Sequence, residues 1–256
     1  MAASSRIVIK IGTGVLTRDD RIRLDEPAFV EIARAVSALI TAGHEVILVS
    51  SGAVGAGLME FGKRERPQDT ATLQAFAAIG QARLMQTWRT HLQVRDLAGA
   101  QLLLTYGDLD SEERRQQILR TMEKLLEMGN VVPIINENDS VAVEELRFGD
   151  NDALSARVAA LVGASLLVLL TTVDGLMDMG ETPGKLVPLV TDPAEVEAMV
   201  QEKKGALSVG GMRTKLQAVG LARSHGIPCI IAHGKKADHL PAIVAGTEHH
   251  CTRFTL

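Results

Sequence analysis

The chain has 256 residues, 46% of them hydrophobic and 23% charged, with a formal net charge of −4 and no basic block, which argues against nucleic acid as a main partner. No apolar run is long enough for a signal peptide or a bilayer span; the most apolar stretch, Leu161 to Leu170, is short and carries Gly163 and Ser165. Cys229 and Cys251 are too few and too far apart for a metal knuckle or a disulfide framework, so a reducing cytoplasm and no membrane partner are expected.

Arg6 to Ile11 (RIVIKI) is a β-branched run that reads as a buried strand, with Lys10 near its end and Gly12-Thr13-Gly14 as a turn. Pro27 to Thr41 places Phe29, Ile32, Ala33, Val36, Leu39 and Ile40 at a helical period, and Gly43 follows as a stop. Glu45 to Ser50 is a second strand, closing on the glycine-rich run Ser50 to Gly57. Strand, helix and strand in that order favour a parallel sheet. Gln68 to His91 predicts a long helix with Leu73, Phe76, Ala77, Gly80, Leu84 and a core Trp88 on one side. Ala98 to Thr105 predicts a strand and Asp110 to Met128 a helix, with Asp108 to Glu113 as an acidic helix start.

Val131 to Ile135 is an apolar strand that runs into an acidic, asparagine-rich stretch, Asn136 to Asp152. Its middle, Val141 to Phe148, reads as a small hairpin with Glu144 and Glu145 in solvent. A helix from Asp152 to Val162 follows, capped by Asp150 or Asn151. Ser165 to Thr171 is the clearest buried strand. Residues 173–190 read as an irregular loop, Asp192 to Val200 as a short helix and Gly205 to Gly211 as a glycine loop. A helix from Met212 to His225, a strand from Ile227 to Ala232, a helix from Asp238 to Ala245 and a short strand complete the chain. This alternation predicts one α/β/α sandwich over 1–256 with a mostly parallel sheet.

In such a sheet, ligands gather at strand C-termini. Four polar segments fall there: Lys10 to Gly14, Ser50 to Gly57, Asn136 to Asp152 and Ser208 to Lys215. Glycines admit an anion to the backbone, and two lysines converging from Lys10 and Lys215 would stabilise a phosphoryl group in transit. Neither the P-loop order nor Gly-x-Gly-x-x-Gly is present, so any one glycine segment reads first as a structural turn. The acidic stretch stays open between a solvated turn with a helix cap and an active site. His249-His250-Cys251 reads as ordinary strand and surface, and His44 and His225 as residues at helix ends.

Taken together, VIKIGTGVLT (Val8 to Thr17), VSSGAVGAG (Val49 to Gly57), INENDSV (Ile135 to Val141), FGDNDALSA (Phe148 to Ala156) and GGMRTKLQAV (Gly210 to Val219) resemble the glutamate 5-kinases of the amino acid kinase family. The Gly-Gly-Met…Thr-Lys pattern is shared by several members of that family, whereas the NEND and GDND pair is particular to the glutamate kinases. The resemblance implies an α/β/α sandwich that uses ATP to phosphorylate the side-chain carboxylate of L-glutamate, the first step of proline biosynthesis. It implies that Lys10 and Lys215 flank the transferred group and that Asp152 holds them, with Asp150 assisting directly or through Mg²⁺. Ser51, Gly52, Asp139 and Asn151 are implied for glutamate, Asp139 facing its ammonium group. Lys10, Gly12, Thr171, Thr172, Val209, Gly210, Gly211, Met212, Arg213, Thr214 and Lys215 are implied for ATP.

The resemblance further implies a mainly glutamate-binding N-terminal part, an ATP-binding part from about residue 165, proline as a feedback inhibitor and a homodimer or homotetramer. Thr171-Thr172 stands where that family has Thr-Asp, and Met177 to Glu181 depart from its aromatic and turn residues, which bears on the adenine contacts. Many relatives continue into a C-terminal module resembling RNA-modifying enzymes; the sequence ends at Leu256 without it, so no role of that module is expected. The other readings are a kinase of a different carboxylate, carbamate or phosphate acceptor, and a non-catalytic sensor. The presence of Lys10, Asp152 and Lys215 speaks against the sensor.

Overall fold

The computed structural model describes residues 5–18, 23–63, 65–142, 151–178, 184–192 and 209–256, with the side chains of 209 and 210 excepted. Its framework is one sheet of eight strands: β1 (Arg6–Ile11), β2 (Glu45–Ser50), β3 (Ala98–Leu104), β4 (Val131–Glu137), β5 (Leu166–Thr171), β8 (Leu189–Val190), β9 (Cys229–His233) and β10 (Cys251–Phe254). They lie in the order β3-β4-β2-β1-β5-β9-β10-β8. Every pairing is parallel except β9 with β10. A separate two-residue ladder joins β6 (Met177–Asp178) to β7 (Lys185–Leu186).

The side-chain period of two divides the core between the two faces of the sheet. Ile7, Ile9 and Ile11 of β1 join Val46 and Leu48 of β2 and Val168 and Leu170 of β5 on one face. Val8, Ile47, Val49, Leu167 and Leu169 lie on the other. Helices α2 (Glu26–Thr41), α3 (Ala53–Glu60) and α4 (Thr70–Gln93) cover the first face. Helices α6 (Glu112–Glu127), α7 (Asn151–Leu161) and α8 (Val209–Ser224) cover the second. The result is a three-layer α/β/α sandwich. Short helices α1 (Thr13–Leu16), α5 (Tyr106–Asp110) and α9 (Leu240–Ala245) fill the connections. Among the described residues, no helix is long and apolar enough to cross a membrane.

Local chemistry explains the boundaries. Gly43 sits at φ +94°, the left-handed turn that stops α2. Asp69 caps α4 by accepting from the Thr72 amide. Thr105 and Asp108 form a reciprocal capping box at α5, and Ser111 then restarts the chain as α6. The helix expected over 110–128 is α6, which starts after its Ser111 cap because Asp110 closes α5.

Four further expectations change. The glycine-rich run Ser50 to Gly57 is helical from Ala53, where α3 begins. The loop expected over 173–190 contains β6, β7 and β8, the last pairing with β10 at the sheet edge. Helix α8 begins at Val209, so Val209, Gly210 and Gly211 are helical rather than loop. A 3-10 turn, Gly234–His239, precedes α9 where one helix was expected from Asp238. The hairpin expected over 141–148 and the helix over 192–200 fall mainly on residues 143–150 and 193–200, outside the described residues.

Candidate active site

Because the inner strands are parallel, β1, β2, β4 and β5 all present their C-terminal ends on one edge of the sheet. Chain direction divides there: β1 leads outward to β2 on one side, while its other neighbour β5 pairs with β9 on the opposite side. A crevice between strand ends at such a switch point is where open α/β sheets bind ligands.

Lys10 shares the parity of Val8 in β1, so its side chain leaves the sheet toward α7 and α8. There it meets Asp152, in the first turn of α7, at 2.6 Å from Nζ to Oδ1. Lys215 of α8 donates to the other carboxylate oxygen, Oδ2, at 3.0 Å. Thr214 Oγ1 donates to that oxygen at 2.9 Å, and Lys215 Nζ also donates to the Gly211 carbonyl at 3.1 Å. Lys10, Asp152 and Lys215 are all buried, at 5%, 2% and 8% exposure. Burial alone would raise the Asp152 carboxyl, but the two ammonium groups outweigh it and hold the carboxyl below the ordinary range. Among the described residues, one carboxylate stands between two buried ammonium groups, an arrangement suited to an anion.

Glycine backbone runs close to this cluster. The Gly12 amide donates to the Leu170 carbonyl at 3.1 Å, and a Cβ at Gly12 would stand 3.7 Å from Lys10 Nζ. The first-turn amides of α8, at 209–211, have no intrahelical acceptor. Among the described residues, a Cβ at Gly211 would meet nothing within 4 Å. Thr171 ends β5, and Thr172 beyond it is exposed, as is Arg213; Met212 is half-buried.

A second group of residues lies at the ends of β2 and β4. Gly52, at φ +108°, turns the chain from β2 into α3 in a conformation that favours glycine. Asn151 Nδ2 donates to the Ser50 carbonyl (3.2 Å), Ser51 Oγ (2.9 Å) and Asn136 Oδ1 (2.9 Å). Asn136 Nδ2 donates to Gln81 Oε1 at 2.8 Å, and Trp88 Nε1 donates to Ser50 Oγ at 2.9 Å. Asp139, in the turn after β4, lines an open cavity of about 270 Å³ with Gln81, Glu137, Asn138 and Ser140. Asn151 and Asp152 are consecutive, so the first turn of α7 joins the two groups.

Of the residues singled out from sequence, Lys10, Asp152, Thr214 and Lys215 converge, as do Ser51, Gly52 and Asn151. Asp150 lies outside the described residues. Asn136 and Gln81 were not singled out; Asn136 stood within the acidic stretch, whereas Gln81 looked like any polar helix residue. The terminal His249 and His250 are exposed, and among the described residues no group of three or more His, Cys, Asp or Glu side chains could hold a metal ion. His44 accepts or donates at the Ser5 hydroxyl, and His225 sits beside the Leu221 carbonyl at a helix end.

A sequence model of the amino acid kinase family matches residues 5–233. The chain belongs to that family. Within it, the similarity is to the glutamate 5-kinases. That of Symbiobacterium thermophilum is 44% identical over 246 residues, taking in 95% of this chain and 93% of the relative. That of Thermus thermophilus is also 44% identical over 246 residues, 95% of this chain, but this chain spans 66% of its length. That of Herpetosiphon aurantiacus is 45% identical over 253 residues, with 97% and 68% covered. Two solved amino acid kinase neighbours share the fold at 16% identity. They are a carbamate kinase from Giardia lamblia bound to AMP-PNP (TM-score 0.69, 100% of this chain and 99% of that one) and a UMP kinase from Ureaplasma parvum (TM-score 0.64, 99% of both).

Proposed function

We propose that the chain transfers the γ-phosphoryl group of ATP to the side-chain carboxylate of L-glutamate, giving glutamate 5-phosphate, the first step of proline biosynthesis. The observation that carries the reading is the buried Lys10–Asp152–Lys215 cluster at the strand ends. A carboxylate oxygen of glutamate attacks the γ-phosphorus, and the bond to the β–γ bridging oxygen breaks, releasing ADP. Lys10 and Lys215 lie ready to stabilise the charge spread over the group in transit, and Asp152 keeps both ammonium groups in place. The acceptor carboxylate is already ionised at neutral pH, so no general base is required. Positioning and charge neutralisation carry the reaction.

The α8 first-turn amides, Gly12, Thr171 and Thr172 border the space for the nucleotide, and Ser51, Gly52, Asp139 and Asn151 that for glutamate. The high identity to glutamate 5-kinases supports this acceptor over carbamate or a nucleotide. Both oxygens of Asp152 are engaged by lysines, so a Mg²⁺ ion would be held chiefly by the nucleotide's own phosphates rather than by this carboxylate. Such an ion would neutralise phosphate charge.

The test is turnover with ATP, Mg²⁺ and a panel of acceptors, the acyl phosphate being trapped as a hydroxamate. Product with glutamate is expected; product with aspartate or N-acetylglutamate and none with glutamate overturns the reading. The same reading carries one cytoplasmic kinase domain, proline inhibition at the glutamate pocket and a homodimer or homotetramer. Proline inhibition that raising glutamate does not relieve would require a separate effector site, and sedimentation would show the assembly.

A further inference from the structure

Helix α4 carries Gln74, Gln81 and Trp88 at heptad spacing, nearly in line along one stripe. Each makes a hydrogen bond toward the glutamate end. Gln74 Nε2 donates to the Ala142 carbonyl (3.3 Å), Gln81 Oε1 accepts from Asn136 Nδ2 (2.8 Å), and Trp88 Nε1 donates to Ser50 Oγ (2.9 Å). The helix itself is held close: a Cβ at Gly80 would stand 1.9 Å from the Ala53 carbonyl oxygen and 2.2 Å from the Gly57 nitrogen. Thus α4 touches α3 backbone to backbone, immediately beyond Gly52, and delivers Gln81 to a defined place.

The contact at Gln81 has a chemical consequence. A carboxamide can face either way, and rigid neighbours decide which. The Glu137 amide can only donate, so the Asn136 atom it meets at 2.9 Å is Oδ1. The Ser50 carbonyl can only accept, so the Asn151 atom it meets at 3.2 Å is Nδ2. Asn136 therefore turns Nδ2 toward α4, and Gln81 answers with its acceptor. Asn151 is left with Oδ1 buried and, among the described residues, without a hydrogen-bond partner. A buried acceptor in that position calls for a donor from a ligand.

We propose that Gln81 is a positioning residue for the phosphoryl acceptor. By accepting from Asn136 Nδ2 it reinforces the backbone contacts that orient Asn136 and Asn151, and so steadies Asn151 with Oδ1 turned to receive an N–H; in an amino acid that donor is the α-ammonium group. The inference rests on the glutamate reading above. It extends the site to a helix that contributes none of the residues singled out from the motifs.

Gln81→Met keeps the side-chain length and removes the acceptor; Gln81→Leu repeats the test with another shape. Gln81 is half-buried, so neither change opens the core. For each, the KM for glutamate, the KM for ATP, kcat and the inhibition constant of glutarate, which has both carboxylates but no ammonium, are measured. The glutamate KM should rise about tenfold, with kcat, the ATP KM and the glutarate constant each within about twofold of the parent. Glutamate and glutarate weakening together, a fall in kcat alone, or no change in any value overturns the proposal. A parent chain that forms no glutamate hydroxamate fails the functional reading first, before any variant is compared, and this inference with it.

Discussion

At one end of the site Lys10, Asp152 and Lys215 are held by charge; at the other, Ser51, Asn136, Asn151 and Gln81 are held by neutral, directional hydrogen bonds. The ionic end tolerates least the loss of Asp152, because removing that carboxylate leaves two buried ammonium groups without their shared counter-ion. The amide end distributes its contacts, so removing one loosens an orientation and leaves no charge exposed. The first turn of α7 contributes one residue to each, Asn151 and Asp152. Substitutions at adjacent positions should therefore fail in different ways.

Asp152→Ala is the severest way to break the contrast. It leaves Lys10 and Lys215 buried without their counter-ion and should cost about 3–5 kcal/mol of stability. Turnover should fall at least about a thousandfold, read beside the thermal midpoint. Lys215→Ala should lower kcat by about 100- to 1,000-fold while moving the ATP KM far less; equal losses in both would make Lys215 a binding residue only. Asn151→Leu should raise the glutamate KM by about 10- to 100-fold with a smaller change in kcat. A kcat loss matching that of Lys215→Ala would erase the distinction between the two ends.

Acid sharpens the comparison further. The Asp152 carboxyl is depressed in the folded chain, so its contribution is present above the ordinary value of 3.8 and is lost as pH falls through the folded value. The stability gap between the parent and Asp152→Asn should hold from neutrality down to about pH 4 and narrow below it. Ser51, Asn136, Asn151 and Gln81 do not titrate there, so the gap opened by Asn151→Leu should follow no such course. The smallest effect is expected from Trp88→Phe, which removes the N–H on Ser50 and should cost about 1–3 kcal/mol, read as a lowered thermal midpoint with kcat retained.

The same contrast governs what could be read from the chain beforehand. Lys10 was legible because it stands near the end of the β-branched run RIVIKI, just before a glycine turn, where strand ends gather ligands. Asp152 and Lys215 stood beside glycines in conspicuous motifs. Gln81 offered no such signal, since a glutamine on a helix ordinarily faces water and only the fold brings it to Asn136. Helix α3 was missed for a related reason. Ala-Val-Gly-Ala-Gly has poor helical propensity, and what makes it helical is the tertiary contact in which Gly57 lies against Phe76 and Gly80. The two-residue strands β6, β7 and β8 are too short to show a period; their pairing comes from residues brought together by the chain's later course, as β8 meets β10.

Trp88 is the chain's single tryptophan, fully enclosed, with its indole nitrogen bonded one residue from Ser51. The protein therefore contains one indole chromophore, placed at the amide end and away from the lysines. Its emission should respond to glutamate and remain nearly silent to nucleotide, an optical record of which half of the site is filled.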